Sequence, residues 1–90
     1  MKILFNFSKD KNLYVKEKCG FNFDEAIELI YKGNLLDDID HPKRKNQRIL
    51  VIRNKEYVYA IPYVKEKSGE IFFKTMFPSR KLTKEYLNAN

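Results

Sequence analysis

Three apolar segments in the second half of the chain constrain the fold most strongly. The segments are RILVIR (48–53), EYVYAIPYV (56–64) and IFFKTMF (71–77), and short polar intervals separate them. Runs of this length that are rich in β-branched and aromatic residues are typical of strands. NK (54–55) begins a tight hairpin turn, and KEKSGE (65–70) turns the chain again. The sequence therefore predicts an antiparallel β-meander.

An aspartate-rich segment, NLLDDID (34–40), precedes the meander, and the basic loop HPKRKN (41–46) separates the two. Charged side chains on a strand at the edge of a sheet discourage pairing with a further strand. Asp37, Asp38 and Asp40 therefore indicate that this segment is a short edge strand.

The beginning of the chain predicts a strand followed by a polar helix. KILFNF (2–7) alternates as a short strand does. Ser8 is placed to cap a helix over SKDKNLYVKEK (8–18), and Gly20 breaks that helix.

The clearest helix signal lies in FNFDEAIELIYKG (21–33). Asn22 is a good N-cap, and Glu25 stands three residues later, where it completes a capping box. Gly33 then closes the helix. Its apolar residues recur at helical spacing on one face, which we expect to pack against the sheet: Phe23, Ala26, Ile27, Ile30 and Tyr31.

A short helix over RKLTKEYL (80–87) is predicted to end the fold. Ninety residues suit one domain with one core. We therefore expect residues 1–90 to form a single small α+β domain. In it, an N-terminal strand and two helices precede an antiparallel meander and a short C-terminal helix.

Two details of the meander bear on the surface of the sheet. Pro62 has no N–H group, so it marks a bulge or an outward-facing edge position. In a continuous strand over residues 71–77, Lys74 shares one face with Phe72 and Met76. The opposite face is the more apolar one and is predicted to be the core face: Ile71, Phe73, Thr75 and Phe77.

The composition limits where such a protein works. Cys19 is the only cysteine, so an internal disulfide is excluded and a reducing cytoplasm is indicated. No apolar run approaches the roughly 18–20 residues of a membrane span, and the N-terminus is too short and polar for a signal peptide. We therefore expect a cytoplasmic protein without a membrane partner.

The charge is divided unevenly along the chain. Residues 1–40 hold six Lys and Arg against eight Asp and Glu, whereas residues 41–90 hold twelve against four. A folded domain with such an excess of positive charge in one half attracts polyanions. A solubilising basic surface is the alternative, but the asymmetry favours a nucleic-acid partner.

The sequence predicts no metal and no cofactor. One histidine and one cysteine do not make a zinc site, and the aspartates of residues 37–40 lack the central glycine of a calcium loop. The three glycines are scattered, so no phosphate-binding glycine loop is formed. The serines carry no signature of a catalytic triad.

Basic residues at strand ends are the remaining candidates for chemistry. PSRK (78–81) places Arg80 and Lys81 at a strand-to-helix corner, where the helix dipole disfavours cations unless an anion lies nearby. Convergence of Arg48, Lys74 and Arg80 on one sheet face would form a phosphate-sized cluster, since guanidinium groups bind phosphate bidentately. The alternative is that each is a separate surface charge.

Several segments carry residues in an order that is known from one family. QRILVI (47–52) is similar to its E-R-x-x-x-I strand, and PSRKLTKE (78–85) is similar to its S-A-R-R-A-T-x-x-E segment. The opening pattern is F-x-W-D-x-x-K, seven variable residues, then H-G-[VI]-[ST]-F-E-E-A. Six residues fall on it without a gap: Phe5, Lys11, Gly20, Phe23, Glu25 and Ala26. Over nearly its whole length the chain resembles the BrnT-type toxins of bacterial toxin–antitoxin modules.

The resemblance implies a compact RelE-like fold with helices on one face of the sheet. It also implies a ribonuclease that needs no metal and blocks translation. The expected partners are RNA and a neighbouring antitoxin, a small DNA-binding ribbon-helix-helix protein that covers the toxin in a hetero-oligomer. The family's basic residues match Lys11, Arg48, Arg80 and Lys81, and Lys74 lies beside a further one.

Ribonucleases of this kind use the 2′-OH of RNA as the nucleophile and supply orientation, charge stabilisation and proton transfer. Arg48 and Arg80 would clamp the phosphate, and Lys74 or Lys81 would protonate the leaving 5′ oxygen or add charge. The candidates for the general base are His41, Tyr59 and Tyr63. Further RNA contacts are expected from exposed tyrosines, which stack on bases, and from other cations: Lys11, Lys43, Arg44, Lys45, Lys84, Tyr59 and Tyr63.

Some residues depart from the family pattern. Cys19 stands in place of the histidine, and Gln47 stands in place of the glutamate. These departures favour an alternative in which the chain is a catalytically inactive relative that binds an antitoxin or RNA without cleaving it. Non-catalytic RNA binding outside any such module is a third possibility.

Overall fold

The computed structural model describes residues 4–87 as three α-helices packed on one mixed sheet. A π-helical turn over Ile30–Asn34 joins the second helix to the sheet. None of the helices within residues 4–87 has the length and apolar character needed to cross a membrane. The elements in chain order are β1 (Phe5–Asn6), α1 (Lys9–Cys19), α2 (Phe23–Leu29), β2 (Leu35–Asp40), β3 (Arg48–Asn54), β4 (Tyr57–Lys65), β5 (Ile71–Phe73), β6 (Phe77–Pro78) and α3 (Arg80–Leu87).

This order confirms the predicted α+β class, including the short C-terminal helix. The first two residues of the predicted strand over 2–7 lie outside the described range, and β1 covers only Phe5–Asn6. The second helix is shorter than predicted, because α2 gives way to the π-helical turn before the chain reaches Gly33.

The predicted helix caps are confirmed by their hydrogen bonds. The Ser8 hydroxyl accepts the backbone N–H of Lys11 at 3.0 Å, and Gly20 ends α1 with a positive φ of 86°. The Asn22 side chain accepts the Glu25 N–H at 3.0 Å, while the Glu25 carboxylate accepts the Asn22 N–H at 2.9 Å. These caps satisfy backbone donors that have no partner inside the helix, so they fix where α1 and α2 begin.

The strands lie in the order β1-β5-β4-β3-β2, and β6 also pairs with β4. β1 runs parallel to β5, whereas every other pair in the sheet is antiparallel. The meander is therefore as predicted, and β2 is the edge strand that its aspartates indicated. The β3–β4 hairpin turns at residues 55–56, one position later than predicted, with Lys55 in the left-handed region at φ 61°.

The predicted continuous strand over residues 71–77 is wrong, because the strand breaks after Phe73. Tyr63 pairs with Phe73 and Ala60 pairs with Phe77, so residues 74–76 stand opposite only residues 61–62 of β4. Pro62 has no N–H group to donate to residues 74–76. Because three residues stand opposite two, the extra residue forms an irregular bulge beside Pro62. The alternation of side chains shifts as a result, and Met76 becomes fully buried with Phe73 rather than facing away from it.

Both faces of the central strands are buried. On one face, α1 and α2 cover a core that includes Phe23, Leu50, Ile61 and Phe73. On the other, the side chains of a second cluster pack beneath α3: Ile49, Val51, Val58 and Ala60, with Leu82, Tyr86 and Leu87 of the helix. The helices therefore lie on two faces of the sheet, not on the single face that the family resemblance implied.

Two polar side chains fasten α3 to the sheet. The Thr83 hydroxyl, on a residue with 7% exposure, accepts the Val58 N–H at 2.9 Å and donates to the Ser79 carbonyl at 2.7 Å. At the other end of the helix, the Tyr86 hydroxyl donates to an Asp37 carboxylate oxygen at 2.6 Å. These bonds join α3 to β4 and to the edge strand β2.

We expect Thr83→Val to lower the free energy of unfolding by about 1–3 kcal/mol, because the buried Val58 N–H would lose its acceptor. Thr83→Ser is the matched control, since it keeps the hydroxyl and removes one methyl group, at a cost of about 1 kcal/mol or less. Urea denaturation of both variants measures the difference. Equal losses in the two variants would show that the hydroxyl contributes nothing.

We expect Asp37→Asn to lower the pKa of Tyr86. The hydrogen bond to the Asp37 carboxylate raises the pKa of Tyr86 to about 12, and the same bond lowers the pKa of Asp37. The shifted pKa values mean that the hydrogen bond stabilises the folded state. For Tyr86, the stabilisation is complete below about pH 10, the pKa of a free tyrosine, and is lost as the pH rises through about 12. For Asp37, it is lost as the pH falls through the lowered pKa.

Ultraviolet titration of tyrosinate, with circular dichroism to confirm the folded state, measures this change. Asp40→Asn removes the same charge, but Asp40 bonds to Arg48, so this control should leave the Tyr86 titration unchanged. A Tyr86 titration that does not respond to Asp37→Asn would contradict the assigned hydrogen bond.

A candidate nucleic-acid interface

An open groove of about 420 Å³ lies where the β2–β3 loop, α1 and the bulge after β5 meet. Its cationic side chains come from three distant parts of the sequence, and the lining also includes the buried Pro62 and the partly exposed Phe77. We call it the basic groove and define it by six of its lining residues: Lys11, His41, Arg44, Pro62, Lys74 and Phe77.

Local structure explains how the three cations come together. Lys11 belongs to the first turn of α1, whose start Ser8 fixes. Arg44 lies in the loop over residues 41–47. Lys74 begins the bulge, where its N–H donates to the Pro62 carbonyl at 2.8 Å. The break in the last strand therefore places Lys74 in the groove rather than in a regular ladder.

The groove cations are not neutralised within the described chain. Across residues 4–87, the cations in ion pairs are Lys16, Lys32 and Arg48, none of which lines the groove. The Nζ atom of Lys11 lies 5.3 Å from the centre of the Tyr14 ring, and the Nζ atom of Lys74 lies 5.7 Å from the centre of the Phe72 ring. Contacts with aromatic rings leave the ammonium charge intact. The described lining also contains no carboxylate, so the groove suits an anion.

The loop that carries Arg44 is organised by hydrogen bonds to His41. The Nδ1 atom of His41 accepts the N–H groups of Lys43 and Arg44 at 3.1 and 3.2 Å. The backbone N–H of His41 donates to the Gln47 carbonyl at 3.2 Å, and the backbone N–H of Gln47 donates to the Arg44 carbonyl at 3.1 Å. An atom that accepts two N–H bonds carries no proton, so the proton of the neutral ring lies on Nε2.

Arg48 is not available as a phosphate clamp in this structure. Its Nε donates to Asp38 Oδ1 at 3.0 Å and its Nη1 donates to Asp40 Oδ1, while Nη2 donates to the Asp38 carbonyl at 2.8 Å. The hydrogen bond and charge of Asp38 raise the pKa of Arg48 further. Two carboxylates beside the guanidinium repel a phosphate. The hydrogen bonds of Arg48 instead join the edge strand β2 to β3.

The prediction that Tyr63 is an exposed stacking residue is wrong. Tyr63 is only 4% exposed, and its hydroxyl donates to the Asp38 carboxylate at 2.9 Å. Tyr59 is half-buried and packs edge-on against Phe21 with the ring centres 4.8 Å apart. Burial raises the pKa of both tyrosines, and the bond to Asp38 adds to the effect for Tyr63. Neither side chain is therefore suited to act as a base near neutral pH.

The cations of α3 form a separate surface. Arg80, Lys81 and Lys84 are exposed on the helix that covers the face opposite α1 and α2. Ser79, just before Arg80, bonds to Val58, whereas Arg48 pairs with Tyr63. Five residues of strand separate these two points of β4, a distance of about 16 Å. The structure therefore does not bring Arg48 and Arg80 together. Of the predicted catalytic cations only Lys74 lies in the groove, where His41, a predicted base, also lies.

The remaining predicted RNA contacts lie around the same loop. Lys43 is exposed within it, and Lys45 lines a neighbouring hollow of about 310 Å³ that shares Arg44 and His41 with the groove. Together with Lys11 and Arg44, these residues place four of the predicted RNA-binding cations at one end of the sheet. Lys11 and Arg44 were both predicted to contact RNA, but the position of Lys74 beside them was not predicted, although Pro62 indicated an irregularity in the sheet.

The aspartates of β2 are bonded to other side chains rather than held ready for a cation. Asp37 accepts from Tyr86, and both Asp38 and Asp40 accept from Arg48. Within residues 4–87, no cluster of three or more His, Cys, Asp and Glu side chains is arranged to hold a metal ion.

The chain matches no family model, no curated protein and no solved structure. The resemblance to BrnT-type toxins therefore stays a prediction from the sequence.

Proposed function

We propose that this chain binds RNA in the basic groove and acts as a metal-independent ribonuclease toxin of a toxin–antitoxin module. The observation that supports the proposal is the convergence of Lys11, Arg44 and Lys74, with no carboxylate in the described lining. Three cations without an ion-pair partner around an open groove attract the phosphates of a nucleic-acid strand. The partly exposed side chain of Phe77 gives the adjoining ribose or base a place to pack.

In this proposal the RNA supplies the nucleophile. The 2′ oxygen attacks the adjacent phosphorus while the P–O5′ bond breaks, which leaves a 2′,3′-cyclic phosphate and a 5′-hydroxyl. The 2′ proton passes to water in the open groove, and the 5′ oxygen takes a proton from water or from the Lys74 ammonium. Arg44 and Lys74 stabilise the negative charge that builds on the phosphate oxygens.

The toxin proposal includes a location and a partner. From the family resemblance, we infer a cytoplasmic protein that an antitoxin covers in a hetero-oligomer. Charge complementarity indicates that an acidic segment of the antitoxin would occupy the groove in place of RNA.

A second candidate is an inactive relative that binds RNA or its antitoxin without cleavage. The observation that favours it is the state of the three predicted bases. His41 Nδ1 already accepts two N–H bonds, and the pKa values of Tyr59 and Tyr63 are raised. If none of the three acts as a base, cleavage would depend on alignment and charge stabilisation alone. A measurement of ribonuclease activity tests whether cleavage occurs.

We expect the triple variant Lys11→Gln/Arg44→Gln/Lys74→Gln to bind single-stranded RNA more weakly and with less salt dependence. Loss of three phosphate contacts reduces the slope of log affinity against log salt by about 2, at about 0.7 for each contact. Fluorescence anisotropy with a labelled oligonucleotide between about 50 and 200 mM salt measures the slope.

Two variants with the same charge change locate the effect. Lys55→Gln/Lys65→Gln/Lys67→Gln alters exposed cations outside the groove and should bind as the wild type does. Arg80→Gln/Lys81→Gln/Lys84→Gln tests the surface of α3. A groove variant that binds no more weakly than the first control would overturn the site, and a loss confined to the α3 variant would move the site to that helix.

Expression of the chain alone in bacteria tests the activity. We expect the wild type to arrest growth with cleavage of cellular RNA, and the groove variant to do neither. The Lys55/Lys65/Lys67 control should behave as the wild type does, and circular dichroism confirms that each variant is folded. RNA binding without growth arrest or cleavage would favour the inactive relative.

A further inference from the structure

We propose that His41 is a positioning residue, which holds Arg44 in place for RNA through Nδ1 and does not act on the RNA itself. The inference rests on the proposed function, because it assigns a role within the RNA-binding groove. It replaces the expectation that His41 is a general base.

The hydrogen bonds of the loop carry this inference. Nδ1 of His41 accepts the N–H groups two and three residues later, those of Lys43 and Arg44. This is the pattern by which a short polar side chain caps a helix or an Asx-turn, with Pro42 at the position where a missing N–H costs nothing. The imidazole therefore takes the place of a capping oxygen.

The rest of the loop depends on the same turn. The His41 N–H bonds to the Gln47 carbonyl, and the Gln47 N–H bonds to the Arg44 carbonyl. Arg44 thus has its N–H held by His41 and its carbonyl held by Gln47, which fixes its backbone on both sides. The bonds to Nδ1 decide where the Arg44 side chain leaves the loop and enters the groove.

Side-chain chemistry separates positioning from direct action. The Oδ1 atom of asparagine lies the same number of bonds from the backbone as Nδ1 of histidine, so His41→Asn retains an acceptor for the two N–H groups. Glutamine places its polar atoms one bond further out, near the position of Nε2. His41→Asn therefore retains the acceptor for the two N–H groups of the turn, whereas His41→Gln retains only a polar group near the position of Nε2.

The experiment compares His41→Asn, His41→Gln and His41→Ala in the full chain, at a fixed pH and salt concentration. NMR measures the water-exchange rates of the Lys43 and Arg44 amides without RNA, and anisotropy measures affinity for a labelled single-stranded RNA. We expect the asparagine variant to stay within about twofold of the wild type in affinity and to keep both amides protected.

The alanine and glutamine variants should lose protection of both amides and bind RNA about three- to tenfold more weakly. Their loss should not exceed the roughly tenfold loss expected for Arg44→Gln. In the Arg44→Gln background, His41→Ala should have no further effect, because His41 acts through Arg44.

Three results would overturn the proposal. Amides that stay protected in His41→Ala would remove the structural role. Affinity that glutamine restores and asparagine does not would assign the action to Nε2. An equal loss from His41→Ala with and without Arg44 would show that His41 acts by another route. Failure of the proposed function is distinct, because RNA would then bind equally to the wild type and to the triple groove variant.

Discussion

The fold depends on burying both faces of the β3–β4 hairpin. Val51 and Ile52 are adjacent in β3, point to opposite faces of the sheet, and are both fully buried. A short chain must therefore supply cover on each side, with α1 and α2 on one and α3 on the other. The polar bonds of Thr83 and Tyr86 matter for this reason, since α3 has only eight residues with which to hold its position. Without either layer, one side of the hairpin would expose its apolar residues to water.

The groove follows from an irregularity in the same sheet. A proline in the central strand β4 leaves its neighbour without one hydrogen-bond donor, and the partner strand departs from the ladder beside it. Lys74 stands at that departure, facing the loop that carries Arg44. Of the cations in the second half of the chain, Arg44 and Lys74 line this groove, whereas Arg80, Lys81 and Lys84 lie on the outer surface of α3. Arg48 is paired with the aspartates of the edge strand.

Local signals allowed the caps of α1 and α2, the meander and the aspartate-rich edge strand to be predicted from the sequence. Their causes lie within a few residues, as with Asn22 and Glu25. The break in the last strand could not be placed, because it depends on which residues of β4 meet it across the sheet. The ion pairs of Arg48 and the burial of Tyr63 likewise require the register of β2 against β3. Four consecutive apolar residues, ILVI (49–52), did signal a strand buried on both faces, which argues against helices on one face alone.

The parallel pairing of β1 with β5 has a consequence for synthesis. Phe5 pairs with Ile71, so β1 has no partner until residue 71 has been made. The core beneath α1 and α2 also requires Phe73 and Met76, which are translated after both helices. Helices that emerge first must wait, with their apolar faces uncovered, until these residues have been made. The domain therefore acquires its native structure only after residues 71–76 have left the ribosome, and a product that ends before them would be a target for proteases.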